Sequence, residues 1–201
     1  MYCKICSPLK SGTANYFVQE FTQSCISKHI WLYAYEDAHE LICSSKYKGQ
    51  YFHYSHHAKL LAQALYSSCG FSLHECILTF VPTQESHIQK RGYDHARLLA
   101  TSVARKLNMK TSSILLPTHQ NSQAQLDRSR RLENPHFLSL KNLDGRNVVL
   151  LDDVATTRST IFSAASTLLD SGANKVVGAT LAYSHSVHKS FFDDYANQTQ
   201  N

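Results

Sequence analysis

Hydrophobic positions along most of the chain fall into short continuous runs that alternate with longer amphipathic segments. The runs are "IWLYAY", "CILTFVP", "SSILLP", "NVVLLDD" and "NKVVGATLAYS", and each is typical of a buried strand. The segments "YFHYSHHAKLLAQALYSSCG", "GYDHARLLATSVARKLN" and "STIFSAASTLLDSG" carry apolar residues at helical spacing. "LICSSKYKG" has the pattern of a helix end closed by glycine. This alternation predicts an α/β fold with a parallel sheet flanked by helices.

Two ends of the chain and one internal segment lack such periodicity. Residues 1–30 are polar with few apolar anchors, so we expect a small N-terminal region that needs a structural ion to fold. Residues 31–185 form the predicted α/β domain, and residues 186–201 a polar C-terminal tail. The segment "HQNSQAQLDRSRRLENPHF" resembles a long functional loop.

Composition favours a soluble globular protein. The chain has 201 residues, of which 43% are hydrophobic and 17% charged, which suits one domain with a small appendage. No apolar run approaches the roughly 18 to 20 residues that cross a bilayer, and the first residues, "MYCKICSPLK", lack the apolar core of a signal peptide. We therefore expect a cytoplasmic location without membrane insertion.

The cysteines suggest a structural zinc ion. Cys3 and Cys6 have the C-x-x-C spacing that brings two thiolates to one tetrahedral ion, and Cys25 and His29 follow as further ligands. The alternative is a remnant knuckle whose cysteines are ordinary thiols. The histidines of the next helical segment fit a polar helix face better than a metal site; they are His53, His56 and His57.

Positive charge is concentrated in one part of the chain. The net charge is +5, and the stretch from Lys90 to Arg131 contains nine Lys and Arg residues against Asp94 and Asp127. Such an excess indicates a phosphate-bearing ligand, either a metabolite or a nucleic acid. A solvated basic face is the alternative.

The stretch "VVLLDDVATTRSTI" places Asp152 and Asp153 at the end of the strongest predicted strand. Ligands of open α/β sheets bind beyond the carboxyl ends of the strands, and the following helix N-terminus attracts an anion. Carboxylates accept hydrogen bonds from sugar hydroxyls or hold a divalent cation. The loop adds hydroxyl donors at Thr156, Thr157, Ser159 and Thr160. Together these groups suit a ribose 5-phosphate.

The same stretch resembles the phosphoribosyl diphosphate (PRPP) motif of type I phosphoribosyltransferases, in which hydrophobic residues precede Asp-Asp-x-x-Thr-Thr-Gly-x-Thr. "VPTQESHIQKRGYDHARLLA" and "SQAQLDRSRRLENPHF" are similar to segments of the ComF family, competence-associated proteins of that superfamily, as is "YAYEDAHELICSSKYKG". Members of that family also carry an N-terminal cysteine knuckle. The resemblance covers the chain to about residue 185 and implies the type I phosphoribosyltransferase fold.

The resemblance also implies roles for individual residues. Asp152 and Asp153 become the catalytic pair, which meets the ribose hydroxyls or Mg²⁺ through water. Arg91 and Gly92 match the pyrophosphate loop, where a cation and exposed N–H groups suit a diphosphate. The residues that surround the 5-phosphate are Ala155, Thr156, Thr157, Arg158, Ser159 and Thr160.

Two departures from the family pattern concern the same ligand. Arg158 stands where the motif has a glycine. In the family pattern, that glycine lets the backbone approach the phosphate closely. Tyr93-Asp94-His95 replaces Phe-Asn-Gln, and this interpretation puts a negative charge near the pyrophosphate.

Two functions therefore stay open at the level of sequence. One is a phosphoribosyltransferase-like enzyme that uses PRPP and Mg²⁺, with an acceptor that the motifs do not identify. The other is a binding protein with a degenerate PRPP site that binds single-stranded DNA or a partner protein of the competence machinery.

Overall fold

The computed structural model describes residues 16–47, 53–118, 137–155 and 159–184. Its strands are β1 (Phe17–Glu20), β2 (Lys28–Ala34), β3 (Ile77–Phe80), β4 (Leu115–Pro117), β5 (Phe137–Ser139), β6 (Val148–Ala155) and β7 (Val176–Tyr183). Its helices are α1 (Tyr35–Tyr47), α2 (His53–Ser68), α3 (Glu85–Arg91), α4 (His95–Lys106) and α5 (Ser159–Asp170). None of these helices is both long enough and apolar enough to cross a bilayer.

A five-stranded sheet in the order β1-β2-β7-β6-β3 forms the centre of the domain. Strands β2, β7, β6 and β3 are parallel, and β1 is an antiparallel edge strand. The short strands β4 and β5 form a separate antiparallel pair. The predicted fold class, a parallel sheet flanked by helices, is confirmed.

Strands β6 and β7 have apolar side chains on both faces of the sheet, because helices or strands cover both faces. Val149 and Leu151 pack in a cluster with residues of α2 and α4. Val148 and Leu150 pack in a second cluster with residues of α5 and the β4–β5 pair. All four of these β6 side chains are fully buried, so the continuous apolar run follows from a three-layer architecture.

One glycine in β7 permits unusually close packing against the N-terminal part of the chain. A Cβ at Gly178 would lie 3.3 Å from His29 Cδ2 and 3.3 Å from Ile26 Cδ1. Gly178 pairs with His29 of β2 on one side and with Leu150 of β6 on the other. The absence of a side chain therefore lets the turn before β2 lie directly on the sheet.

The predicted domain boundary after residue 30 falls inside β2, and β1 joins the same sheet through its pairing with β2. The described part of the N-terminal region thus belongs to the α/β domain. Residues 1–15 and the polar tail from residue 185 onward lie outside the described residues.

Candidate functional site

The candidate site lies at the carboxyl edge of the sheet, where β6 and β7 end side by side and β3 ends four residues earlier. Leu151 of β6 pairs with Phe80, the last residue of β3. Asp152 pairs with Thr180 of β7. Asp152 and Asp153 therefore extend beyond the end of β3, which is the position that the sequence predicted for a ligand site.

The two aspartates differ in exposure. Asp153 is 7% exposed, whereas Asp152 is of intermediate exposure. The Asp153 backbone N–H donates a hydrogen bond to Asp152 Oδ1 over 2.8 Å. A carboxylate buried to this extent is costly unless it has partners.

Helix α5 begins four residues after β6 ends, at Ser159. Thr160 is exposed and Ile161 is buried in the core, which fixes the start of the helix at the carboxyl edge. The predicted phosphate ligands Thr156, Thr157 and Arg158 lie outside the described residues. Their contacts with a ligand stay a prediction.

The connection from β3 to α4 supplies the predicted pyrophosphate loop. Arg91 is the last residue of α3, and Gly92 follows with φ of 88°. The Gly92 N–H donates to the Ile88 carbonyl over 2.7 Å. This left-handed conformation favours glycine. Space around the Gly92 Cα is open, and because β3 and β6 are neighbours, this loop and the aspartate pair share one edge.

Asp94 has a structural role that the sequence interpretation missed. Its Oδ1 accepts hydrogen bonds from the Arg97 N–H over 3.0 Å and from the Thr83 hydroxyl over 3.2 Å. Its Oδ2 accepts the Thr83 N–H over 3.1 Å. Asp94 is therefore the N-cap of α4 and ties that helix to the end of β3. The carboxylate that we expected to place a negative charge beside the pyrophosphate loop is that of Asp94, and it accepts these capping hydrogen bonds.

Two buried histidines connect the helical layer to its neighbours. His95 Nδ1 lies 3.0 Å from the Tyr54 hydroxyl, which joins α4 to α2. His57 Nδ1 lies 3.0 Å from the Tyr33 hydroxyl, which joins α2 to β2. His57 is 2% exposed, so its assignment to a polar helix face was wrong. Helical spacing alone did not reveal a buried partner from a distant strand.

The predicted zinc residues are only partly described, because Cys3 and Cys6 lie outside the described residues. The Cys25 thiol donates to the Phe162 carbonyl over 3.2 Å, and burial raises its pKa. His29 is fully buried, with its Nε2 3.1 Å from Thr180 Oγ1 and its ring centroid 4.9 Å from that of Tyr183. In this placement the Cys25 thiol and the His29 Nε2 contact Phe162 and Thr180, and their role as zinc ligands stays a prediction.

Within the described ranges, no group of three or more His, Cys, Asp and Glu side chains is arranged to hold a metal ion. A Mg²⁺ ion that arrives with a diphosphate needs fewer protein ligands, since it keeps several waters and binds through one or two carboxylates. The oxygen-only donors of Asp152 and Asp153 fit that requirement.

No protein-family model matches the chain. Among curated proteins, the chain is similar to competence protein ComFC of Bacillus subtilis (strain 168), with 29% identity over 98 residues. The match covers 48% of this chain and 39% of ComFC, so it spans well under half of that relative. This similarity confirms the resemblance to a ComF-type protein that the motifs predicted.

Solved structures similar to this one include the allosteric regulatory enzyme of purine biosynthesis, with 16% identity and a TM-score of 0.45, covering 65% of this chain and 25% of that one. The protein TT1426 from Thermus thermophilus is 17% identical with a TM-score of 0.46, covering 70% and 78%. The Trypanosoma cruzi hypoxanthine phosphoribosyltransferase is 11% identical with a TM-score of 0.42, covering 66% and 65%.

Proposed function

We propose that this protein binds PRPP, or another ribose 5-phosphate, together with Mg²⁺ at the carboxyl edge of its sheet. The observation that carries this proposal is the Asp152–Asp153 pair near the end of β6, with the N-terminus of α5 at Ser159, six residues after Asp153. Carboxylates attract cations and hydrogen-bond donors, whereas a helix N-terminus attracts anions. A ligand with a diol at one end and a phosphate at the other satisfies both.

Different groups of the protein bind different parts of the ligand. Asp152, the more exposed of the pair, accepts hydrogen bonds from the ribose hydroxyls, and Asp153 adds negative charge that favours a cation nearby. The N–H groups at the start of α5 hold the 5-phosphate, and the loop hydroxyls predicted from the sequence add donors. Arg91, at the end of α3, holds the diphosphate, whereas the Gly92 N–H already donates to the Ile88 carbonyl.

Catalysis at such a site would depend on position more than on proton transfer. Bound with PRPP, Mg²⁺ would supply electrostatic stabilisation of the departing pyrophosphate. The protein would hold the anomeric carbon accessible to a nucleophile and keep the diphosphate oriented. We therefore propose a phosphoribosyltransferase-type reaction with an acceptor still to be identified. The similarity to ComFC supports a role in competence, with proteins of that machinery as partners in the cytoplasm.

Titration calorimetry with PRPP and Mg²⁺ tests the proposal. We expect the double variant Asp152→Asn with Asp153→Asn to lose detectable PRPP binding and to keep its fold, because the pair serves a ligand and not the core. The matched control is Asp144→Asn with Asp170→Asn, which removes the same charge from exposed positions before β6 and at the end of α5. PRPP binding by the first double variant at the parent's affinity would refute the proposed site.

A further inference from the structure

A thiol and an imidazole lie in contact on the outer face of α1. Cys43 Sγ is 3.6 Å from His39 Nε2. The two residues are four positions apart, so they are neighbours on the helix surface. His39 is exposed and Cys43 is of intermediate exposure, so reagents in solvent can reach both side chains. We call them the Cys43–His39 pair; neither residue belongs to the proposed PRPP site.

The other cysteines of the described residues do not combine access with a base. Cys25 and Cys76 donate hydrogen bonds to backbone carbonyls, over 3.2 Å and 3.1 Å, and Cys69 and Cys76 are buried in the core. A carbonyl oxygen stabilises the protonated thiol, whereas an imidazole nitrogen can take up the proton and leave the nucleophilic thiolate. Cys43 is therefore the described thiol that is best placed to react.

A third side chain positions the imidazole of His39. The Tyr35 ring meets the His39 ring edge-on, with 5.7 Å between the centroids and an angle of 79° between the planes. Tyr35, His39 and Cys43 thus form a row along α1 at intervals of four residues. Tyr35 also packs against the buried cluster around Ala38 and Ile42, which anchors this end of the row. A nucleophile beside a base that a third group orients is the arrangement of activated cysteines.

Acidic residues on α1 favour transfer of the thiol proton within the pair. Glu36, Asp37 and Glu40 are exposed on the same helix, and their charges stabilise an imidazolium but oppose an isolated thiolate. A proton that moves from Cys43 to His39 creates both charges together, so the net charge of the helix does not change. Because the two effects oppose each other, the thiolate forms more readily beside His39 than it would alone.

We propose that Cys43 is a site of reversible oxidative modification, with His39 as its activating base and hydrogen peroxide as the oxidant. His39 Nε2 takes the thiol proton, and the thiolate attacks one peroxide oxygen. The O–O bond breaks and the sulfur is oxidised to sulfenic acid, while the leaving hydroxide takes the proton from His39 and becomes water. A small thiol then attacks the sulfenic acid, forms a mixed disulfide and releases a second water.

The acidic surroundings also select the small thiol. The carboxylates of Glu36, Asp37 and Glu40 repel an anionic thiol and attract a cationic one. A thiol without negative charge therefore suits this site, and cysteamine, which carries an ammonium group, is the probe that we choose.

Peptide mass spectrometry on the full chain tests the proposal. The protein is treated with hydrogen peroxide and then with cysteamine, and the remaining thiols are alkylated before digestion. Trypsin releases residues 29–46 as one peptide, in which Cys43 is the only cysteine. We expect Cys43 to gain one cysteamine, which dithiothreitol removes, and to react faster than Cys25 or the two buried core thiols.

The variant His39→Gln removes the base from an exposed position and keeps the thiol. We expect the initial rate of Cys43 modification to fall by about tenfold or more, at the low end of what a positioned base contributes. The matched control is His87→Gln, which removes an exposed histidine from α3 and should leave the rate unchanged. An equal rate in His39→Gln and the parent would refute the proposal. So would an equal loss in His87→Gln, or modification of Cys25 as fast as that of Cys43.

Discussion

At the scale of single residues, the core contains two thiols that stay protonated well above neutral pH. Burial raises the pKa of Cys69 to about 12 and that of Cys76 to about 11, from an ordinary value of 9.0. Cys76 also donates a hydrogen bond to the Leu73 carbonyl over 3.1 Å. Both side chains therefore act as small apolar groups in the cluster that α2 and α4 share with the sheet.

These raised pKa values predict a loss of stability in alkali. The unfolded chain releases the thiol protons from about pH 9 upward, while the folded chain keeps them until about pH 11 to 12, so the free energy of unfolding falls as pH rises through that window. Urea titrations from pH 8 to 11 should show the decline. In Cys69→Ala the decline should be smaller; an unchanged slope would show that other groups control it.

Asp94 shows why some residues of the site cannot be assigned from sequence. An Asp before a helical segment is a capping signal, but its second contact is with Thr83, eleven positions earlier in the loop after β3. His57 likewise has its hydroxyl partner on β2. The position of Asp152 and Asp153 near the carboxyl end of β6 could be predicted from the apolar run before them, although the strand continues to Ala155.

At the scale of elements, the cap of α4 also fixes the loop that carries Arg91 and Gly92. We expect Asp94→Ala to lower the free energy of unfolding by roughly 1 to 2 kcal/mol, as for loss of a helix N-cap, and to weaken PRPP binding by loosening that loop. Urea denaturation and calorimetry measure the two effects.

The control for this prediction is Asp94→Asn, which keeps a good cap and removes the charge. We expect its stability to stay within about 0.5 kcal/mol of the parent, with unchanged PRPP affinity. Tighter PRPP binding by this variant would instead support the sequence-based view that the Asp94 charge opposes the pyrophosphate.

Elements with buried apolar residues were predicted from the sequence even where they are short, as for β3 and β4, whereas β1 and α3, which have no buried residue, were not. Strands β3, β6 and β7 and helices α2, α4 and α5 all correspond to recognised segments. Strand β1 was missed because Phe17 and Val18 are exposed and give no alternation. Helix α3 was missed because it has seven residues and none is buried. Its sequence therefore has no apolar residues at helical spacing that would indicate a helix.

At the scale of the whole molecule, the N-terminal region holds both a predicted zinc site and a described piece of the core. Zinc content and stability should therefore respond to different residues. We expect the protein to bind about one zinc through its N-terminal cysteines, and Cys3→Ser with Cys6→Ser to remove the metal. His29→Gln should keep the zinc and lower the melting temperature, because His29 is a buried contact of Thr180.

Elemental analysis beside thermal denaturation checks both parts of this prediction. Protein produced with zinc and found to contain none would show that the cysteines are ordinary thiols. Loss of zinc in the His29→Gln variant would instead show that His29 is a zinc ligand.

The pairing of β2 with β7 joins segments that are far apart in sequence, since Lys28 lies opposite Val177, 149 positions later. Contacts of such sequence separation make folding slow, because the closure entropy of the whole intervening chain is lost before they form. During synthesis on the ribosome, β2 waits without its neighbour until β7 has emerged. A nascent chain that stops before Val176 would expose one open edge of β2, and a holdase chaperone that binds unpaired strands would protect it from aggregation until translation ends.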